Sequence, residues 1–183
     1  MMQTMQKSHA AALKGMEICR TLSAAEIETI AAIADTREVE SGQELFGEGD
    51  SGDGMFLVVA GEIDVVKRGP LGERSLARLG AGSVLGEISL LTNEPRSATG
   101  RALVRTVALR LPAARFGALL EGGSPAALKI VAAIAEVLAR RLATMNTKVM
   151  ELTDKADSGG TAPHALKDNE LAELHRAMQV WSF

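Results

Sequence analysis

The chain has 183 residues, enough for one domain with a full core and some peripheral helix. Its formal charge of -3 removes the electrostatic case for nucleic acid or anionic lipid as a partner, so neither DNA nor a membrane is expected. Cys19 is the sole cysteine, which excludes an intramolecular disulfide and makes a reducing cytoplasm the expected compartment.

The first 15 residues are broken by Gln3, Gln6, Lys7 and His9 and lack the apolar run of a signal peptide. A loose helix is predicted over His9–Cys19. Ser23 and Glu26 then form a capping-box pair ahead of Ile27, Ile30 and Ile33, predicting a second helix from Ala24 to about Ala34. Between Val39 and Leu111 the texture changes. Short β-prone runs at Phe56–Val59, Ile63–Val66, Ser75–Leu79 and Leu103–Leu109 are separated by glycine turns, one of them Gly69-Pro70-Leu71-Gly72. Such spacing predicts a small antiparallel β-barrel or jelly roll.

After Pro112 the helical pattern returns. Ala113–Leu120 is stopped by Gly122 and Gly123, and Ser124-Pro125 opens a long helix that runs to about Leu152. The apolar stretch Ala126–Ala139 contains Lys129 and Glu136, which makes it amphipathic and not a membrane span. Asp157–Pro163 is a linker by composition. Leu171, Leu174, Met178 and Trp181 recur at helical spacing in a short tail helix. The expected class is therefore α+β: N-terminal helices, a small β-barrel and a long C-terminal helix. The binding domain is placed at residues 8–152, with linker and tail at 153–183.

The histidines are His9, His164 and His175, all outside the β region, so a barrel metal site and a His-based triad lack their ligands. No Gly-x-Ser-x-Gly elbow exists either. The chain reads as a receptor without catalytic residues. The segment that stands apart runs from Gly86 to Thr99, where groups of opposite sign interrupt an apolar β-domain. A 3′,5′-cyclic nucleotide offers one phosphate charge, a free 2′-hydroxyl and a flat base. Arg96 supplies a planar fork for phosphate oxygens. Glu87 can accept from the 2′-hydroxyl. Gly86 allows close backbone approach. Ile88 follows the acid, and Ser89-Leu90-Leu91 forms a helical turn whose N–H groups face the phosphate. Ser97 adds a hydroxyl and Ala98 keeps the wall thin. Val84, Leu85 and Leu76 are candidates for an apolar base wall, or equally for plain core. The simpler alternative for Glu87 and Arg96 is an ion pair that closes a barrel loop.

Gly86-Glu87-Ile88-Ser89-Leu90-Leu91 followed by Pro95-Arg96-Ser97-Ala98-Thr99 resembles the phosphate-binding cassette of the cyclic-nucleotide-binding domain family. Gly42–Asp50 and Met55–Gly61 are similar to that family's early strands. The resemblance covers residues 20–150. It implies cAMP or cGMP as ligand, with Glu87 on the ribose and Arg96 on the phosphate; Ser97 is compatible with either base. Ala139-Arg140-Arg141-Leu142 resembles the dimer helix of the family's catabolite activator protein. There, residues one turn on reach the base, which makes Arg141 and Asn146 base-side candidates, or surface residues.

Val131, Leu138, Met145 and Leu152 form a seven-residue repeat, widened by Leu128, Ile134, Leu142 and Val149. About 28 residues at 1.5 Å each span roughly 42 Å, more than a small barrel needs for cover. A homodimer through residues 125–152 is expected, the alternative being that the stripe packs on its own barrel and tail helix. Ligand binding is expected to draw the Ser89–Leu91 turn inward and to repack the helices that follow Leu111. Only about 31 residues follow Leu152, too few for the DNA-binding domain that bacterial relatives carry, so the expected output is an unidentified effector protein. Trp181 is either a lid over the base or an anchor for the tail. A ligand-free interaction module on the same fold is the alternative function.

Overall fold

The computed structural model describes residues 2–70 and 72–158. Helix α1 spans Met2–Lys14 and ends at Gly15, whose backbone freedom makes it a poor helix residue. This corrects the helix expected over His9–Cys19. The helix starts earlier, and Glu17–Cys19 is a separate 3-10 turn. α2 spans Ala24–Ile33 behind the expected capping box, with Ser23 Oγ accepting from the Glu26 N–H and the Glu26 carboxylate from the Ser23 N–H. The buried His9 ring lies 2.8 Å from Thr36 Oγ1 and ties α1 to the first strand.

Eight strands follow: β1 Asp35–Val39, β2 Glu44–Phe46, β3 Gly54–Ala60, β4 Glu62–Gly69, β5 Gly72–Gly80, β6 Val84–Leu85, β7 Thr99–Ala102 and β8 Thr106–Pro112. They form two antiparallel four-stranded sheets, one ordered β1-β8-β3-β6 and the other β2-β7-β4-β5. This is the expected barrel, built as a roll of two sheets. Met55, Leu57, Ile63, Leu85 and Leu111 are fully buried between and behind the sheets, with Phe116 of the helix that follows β8. Strand β3 is buried at five consecutive residues, Gly54–Val58, because sheet and helices cover its two faces.

Of the run expected as one strand over Leu103–Leu109, only Thr106–Leu109 is strand, in β8; Leu103–Arg105 form the bend that follows β7. Thr106 Oγ1 donates to Val104 O, and Gly61 packs so closely on Thr106 that an added Cβ would stand 2.3 Å from that hydroxyl. The closure ends β7 at Ala102 and restarts pairing at Thr106. β1 is polar at three exposed positions and gives no alternation signal; β2 and β6 are too short to give one.

Helix α3 (Glu87–Thr92) lies in the cassette, α4 spans Ala113–Glu121, and α5 spans Pro125–Ser158. α5 continues six residues past the expected end at Leu152 and takes in Asp157 and Ser158 of the expected linker. The remaining linker positions and the tail residues Leu171, Leu174, Met178 and Trp181 lie outside the described residues. The chain divides into two units, one ending at Ile134 and the other beginning at Ala135. Among the described residues no single helix is long and apolar enough to cross a membrane.

Candidate functional site

Strand β6 pairs with β3 through Phe56↔Leu85 and Leu57↔Val84 and delivers the chain to Gly86. Gly86 has φ +76, a left-handed conformation that only glycine adopts readily. It also lies against a side chain: a Cβ there would stand 2.2 Å from Arg96 Nη1. The glycine is thus required by Arg96 itself, a nearer reason than the approach of a sugar. The reversal starts α3 at once, so the expected turn at Ser89–Leu91 is a six-residue helix that buries Glu87 and Ser89 and leaves Ile88 half-buried. Asn93 closes it in the left-handed region, and the chain returns through Pro95 to Arg96.

Residues 47–53, between β2 and β3, hold this return in place. Arg96 N–H donates to Asp50 O and Gly49 N–H to Arg96 O, each at 2.8 Å. Gly52 lies against Ser89 so tightly that a Cβ would come within 2.4 Å of the Ser89 Cβ. The Arg96 side chain runs inward from there and is buried. Nη1 donates to Gly86 O at 3.0 Å; Nη2 donates to Asp53 Oδ1 at 2.9 Å and to Gly54 O. The guanidinium lies over Phe46 and Phe56, 4.6 and 5.4 Å from the ring centroids. Those rings stack at 5.6 Å and join the two sheets beneath it. Burial pulls the guanidinium below its ordinary pKa, opposed chiefly by the Asp53 hydrogen bond and charge, then by the charges of Asp50 and Glu87. Arg96 Nε is buried without a hydrogen-bond partner among the described residues.

Arg96 is ion-paired with Asp53 at 2.9 Å, and the charge of Glu87 acts on it as well. Sequence reasoning missed Asp53 because it precedes Arg96 by 43 residues. Asp53 also accepts from Arg110 Nη1. Arg110 Nη2 donates to Asp35 at 3.0 Å, and Asp35 accepts from Arg115 of α4, also at 3.0 Å. Arg115 in turn donates to Ile33 O, the last residue of α2. Alternating charges thus run from the cassette across β3, β8 and β1 to two helices. Burial alone pushes the Asp35 carboxyl up, but the bonds from Arg110 and Arg115 hold it below the ordinary carboxylate range.

Ser97 is half-buried and Ala98 buried, next to Arg96 at the start of β7. Leu85 is fully buried and lies where a Cβ on Gly100 would reach its Cδ1, which places it in the core between the sheets. Val84 is half-buried, and Leu76 occupies a bulge of β5 opposite Val65 and Val66. Arg141 is half-buried and Asn146 exposed, both on α5 in the second unit. A cavity of about 510 Å³ reaches Phe46, Phe56 and Asp53, but Glu38, Glu44 and Asp50 also line it, a poor setting for a phosphate. Among the described residues no group of three or more His, Cys, Asp or Glu could hold a metal.

Residues 36–122 match the family model described as the cyclic nucleotide-binding domain. They are a cyclic nucleotide-binding domain. The chain is 33% identical over 132 residues to the cyclic AMP receptor protein of Thermus thermophilus, covering 71% of this chain and 59% of that protein. It is 35% identical over 108 residues to the cAMP-dependent protein kinase regulatory subunit of Eremothecium gossypii, covering 59% of this chain but 23% of that subunit. The chain thus spans only part of each of these curated relatives. A crystal structure of a cyclic nucleotide-binding domain from Methylobacillus flagellatus superimposes with a TM-score of 0.67 at 24% identity, covering 76% of this chain and 79% of that one. That likeness concerns the fold. Within this domain the stretch from Gly86 to Thr99 is hung between β6 and β7.

Proposed function

We propose that the chain is a cyclic-nucleotide sensor that binds cAMP or cGMP at the cassette and signals to a protein partner, without catalysis of its own. The observation that carries the reading is Arg96. A buried cation retains an N–H donor, Nε, with no acceptor among the described residues, in the segment that also carries the start of α3. A cyclic phosphate supplies both the acceptor and the opposite charge. Glu87, buried at the start of α3, is assigned to the ribose 2′-hydroxyl.

Transmission is assigned to the charged series from Asp53 to Arg115. A phosphate on Arg96 changes what Asp53 must neutralise, and the change passes through Arg110 and Asp35 to α4 and the end of α2. Faster or slower hydrogen exchange of α4 on adding nucleotide supports this; unchanged protection refutes it. Dimerisation through residues 125–152 fits the exposed Leu128 and Leu142 on α5, two heptads apart. The binding domain at 8–152, the cytoplasmic setting and an output through protein rather than DNA or membrane belong to the same proposal.

Calorimetric titration with cAMP and cGMP tests the core of it. The wild type is expected to bind, and Arg96→Ala to lose at least about a hundredfold in affinity, or about 2.7 kcal/mol. The inward bonds of Arg96 favour a second reading, in which the arginine only braces the roll and the domain is a ligand-free interaction module. A wild type that binds neither nucleotide establishes that reading instead.

A further inference from the structure

Helices α1 and α2 pack against each other, yet a groove of about 470 Å³ remains between them. Lys7, Ala11 and Lys14 recur on one side of α1 at i, i+4 and i+7, and Ala24, Ile27 and Glu28 on one side of α2 at i, i+3 and i+4. Ala11 and Ala24, both exposed, carry too little bulk to close the gap between these two banks. Buried Cys19, Leu22 and Ile27 line the floor.

The rim is mostly of one sign. Lys7, Lys14 and Arg20 stand exposed around it, against the single acid Glu28. Arg20 reaches Glu17 at 3.4 Å, an exposed pair that contributes little. Lys14 also suits the C-terminal end of α1, but Lys7 lies two turns earlier, beyond the pull of the helix end. A chain of net charge -3 thus carries here a local excess of positive charge over an apolar floor. The shape narrows what fits. A lipid surface takes up apolar side chains that project from a protein, whereas these are recessed between two helices. Nucleic acid has the charge but no apolar ridge. A furrow between helices accepts the ridge of a third helix. From Lys7 to Lys14 it runs about 10 Å, two helical turns.

We propose that this groove docks an acidic amphipathic helix of a partner protein. The helix lays its apolar ridge on Leu22 and Ile27 and sets two carboxylates, two turns apart, against Lys7 and Lys14. The surface stands on its own geometry; that the helix belongs to the sensor's effector rests on the reading above. α2 suits that role because the rest of the domain holds both its ends: Arg115 donates to Ile33 O, and Lys129 to the Glu26 carboxylate. A shift of α4 or of the start of α5 therefore reaches one bank of the groove.

Fluorescence anisotropy tests the proposal with a labelled Ala-rich peptide of about 18 residues, long enough to be helical, with a Leu ridge flanked by two Glu two turns apart. The wild type is expected to bind it at least about tenfold more tightly than the same peptide with Lys in place of Glu, and Lys7→Glu/Lys14→Glu to reverse that preference. Bound peptide is also expected to slow alkylation of Cys19, the sole thiol, several-fold. Ala11→Gln fills the groove without changing its charge; it should weaken the acidic peptide too, and it serves if the double variant does not fold. Equal affinity for the two peptides, no binding of either, or an unchanged preference in the double variant overturns the proposal. So does binding to phosphatidylcholine–phosphatidylglycerol vesicles that the double variant loses, because the cations then serve a lipid surface. Titrations of the same proteins with cAMP and cGMP judge the sensor reading separately. A chain that binds the acidic peptide but neither nucleotide keeps this surface and overturns that reading; one that binds nucleotide but no peptide overturns this surface alone.

Discussion

Replacing Asp53 by Ala takes one carboxylate away from two arginines at once. Asp53 is 48% exposed, but the Arg96 side chain it serves is only 1% exposed. On the Arg96 side the loss is a hydrogen bond between charged groups, worth about 1.5–3 kcal/mol, reduced by the solvent that reaches Asp53. On the Arg110 side the loss falls within about 1 kcal/mol, because Arg110 keeps Asp35. The sum is about 2 kcal/mol, a fall of about 4–8 °C in Tm for a chain of this length. Asp53→Asn keeps an acceptor for Arg96 without the charge, and is expected to lose about half as much. Thermal unfolding of the free proteins measures this directly. Repeated with saturating cyclic nucleotide, the gap between wild type and Asp53→Ala should narrow, because the phosphate then neutralises Arg96. A fall under about 1 °C in the free protein would refute the assignment of Asp53 as the counter-ion of Arg96. A gap that ligand leaves unchanged would show that phosphate and Asp53 do not share one guanidinium.

Gly86→Ala puts a Cβ 2.2 Å from Arg96 Nη1 and costs about 1–2 kcal/mol for the left-handed backbone alone. It should lower both Tm and nucleotide affinity, seen together in a melt and a titration. The Lys129 hydrogen bond, then the Ser23 N–H, lower the Glu26 pKa from 4.5 to about 2. A depressed folded pKa contributes stability that is complete above the unfolded value and is lost as pH falls from about 4.5 to about 2. Lys129→Met should flatten the loss of stability across that window in acid denaturation. Cys19 is buried, and burial raises its thiol to about 11, so alkylation at neutral pH should label it only as fast as the N-terminal helices open.

Local signals carried much of the fold. The Ser23/Glu26 box sets the start of α2 because both partners lie within one turn. Gly122 and Gly123 end α4 and Ser124-Pro125 begins α5 for equally local reasons. The cassette was legible because Glu87 and Arg96 carry opposite charges inside an apolar stretch. β1 was not legible: its residues are mostly exposed, and it is a strand only because β8 pairs with it along Asp35–Val39. The break between β7 and β8 was hidden because an apolar run shows no sign that Thr106 turns back on Val104.

The residue types alone determined that a cation and a carboxylate would share one short segment of an apolar β-domain, and which helices would flank it. Composition and spacing act over a few residues, and these features need no more. Only the tertiary structure decided that Arg96 leans on Asp53 and that charges continue from there to Arg115. Those pairings depend on strand register, and a shift of one residue would turn every side chain to the other face.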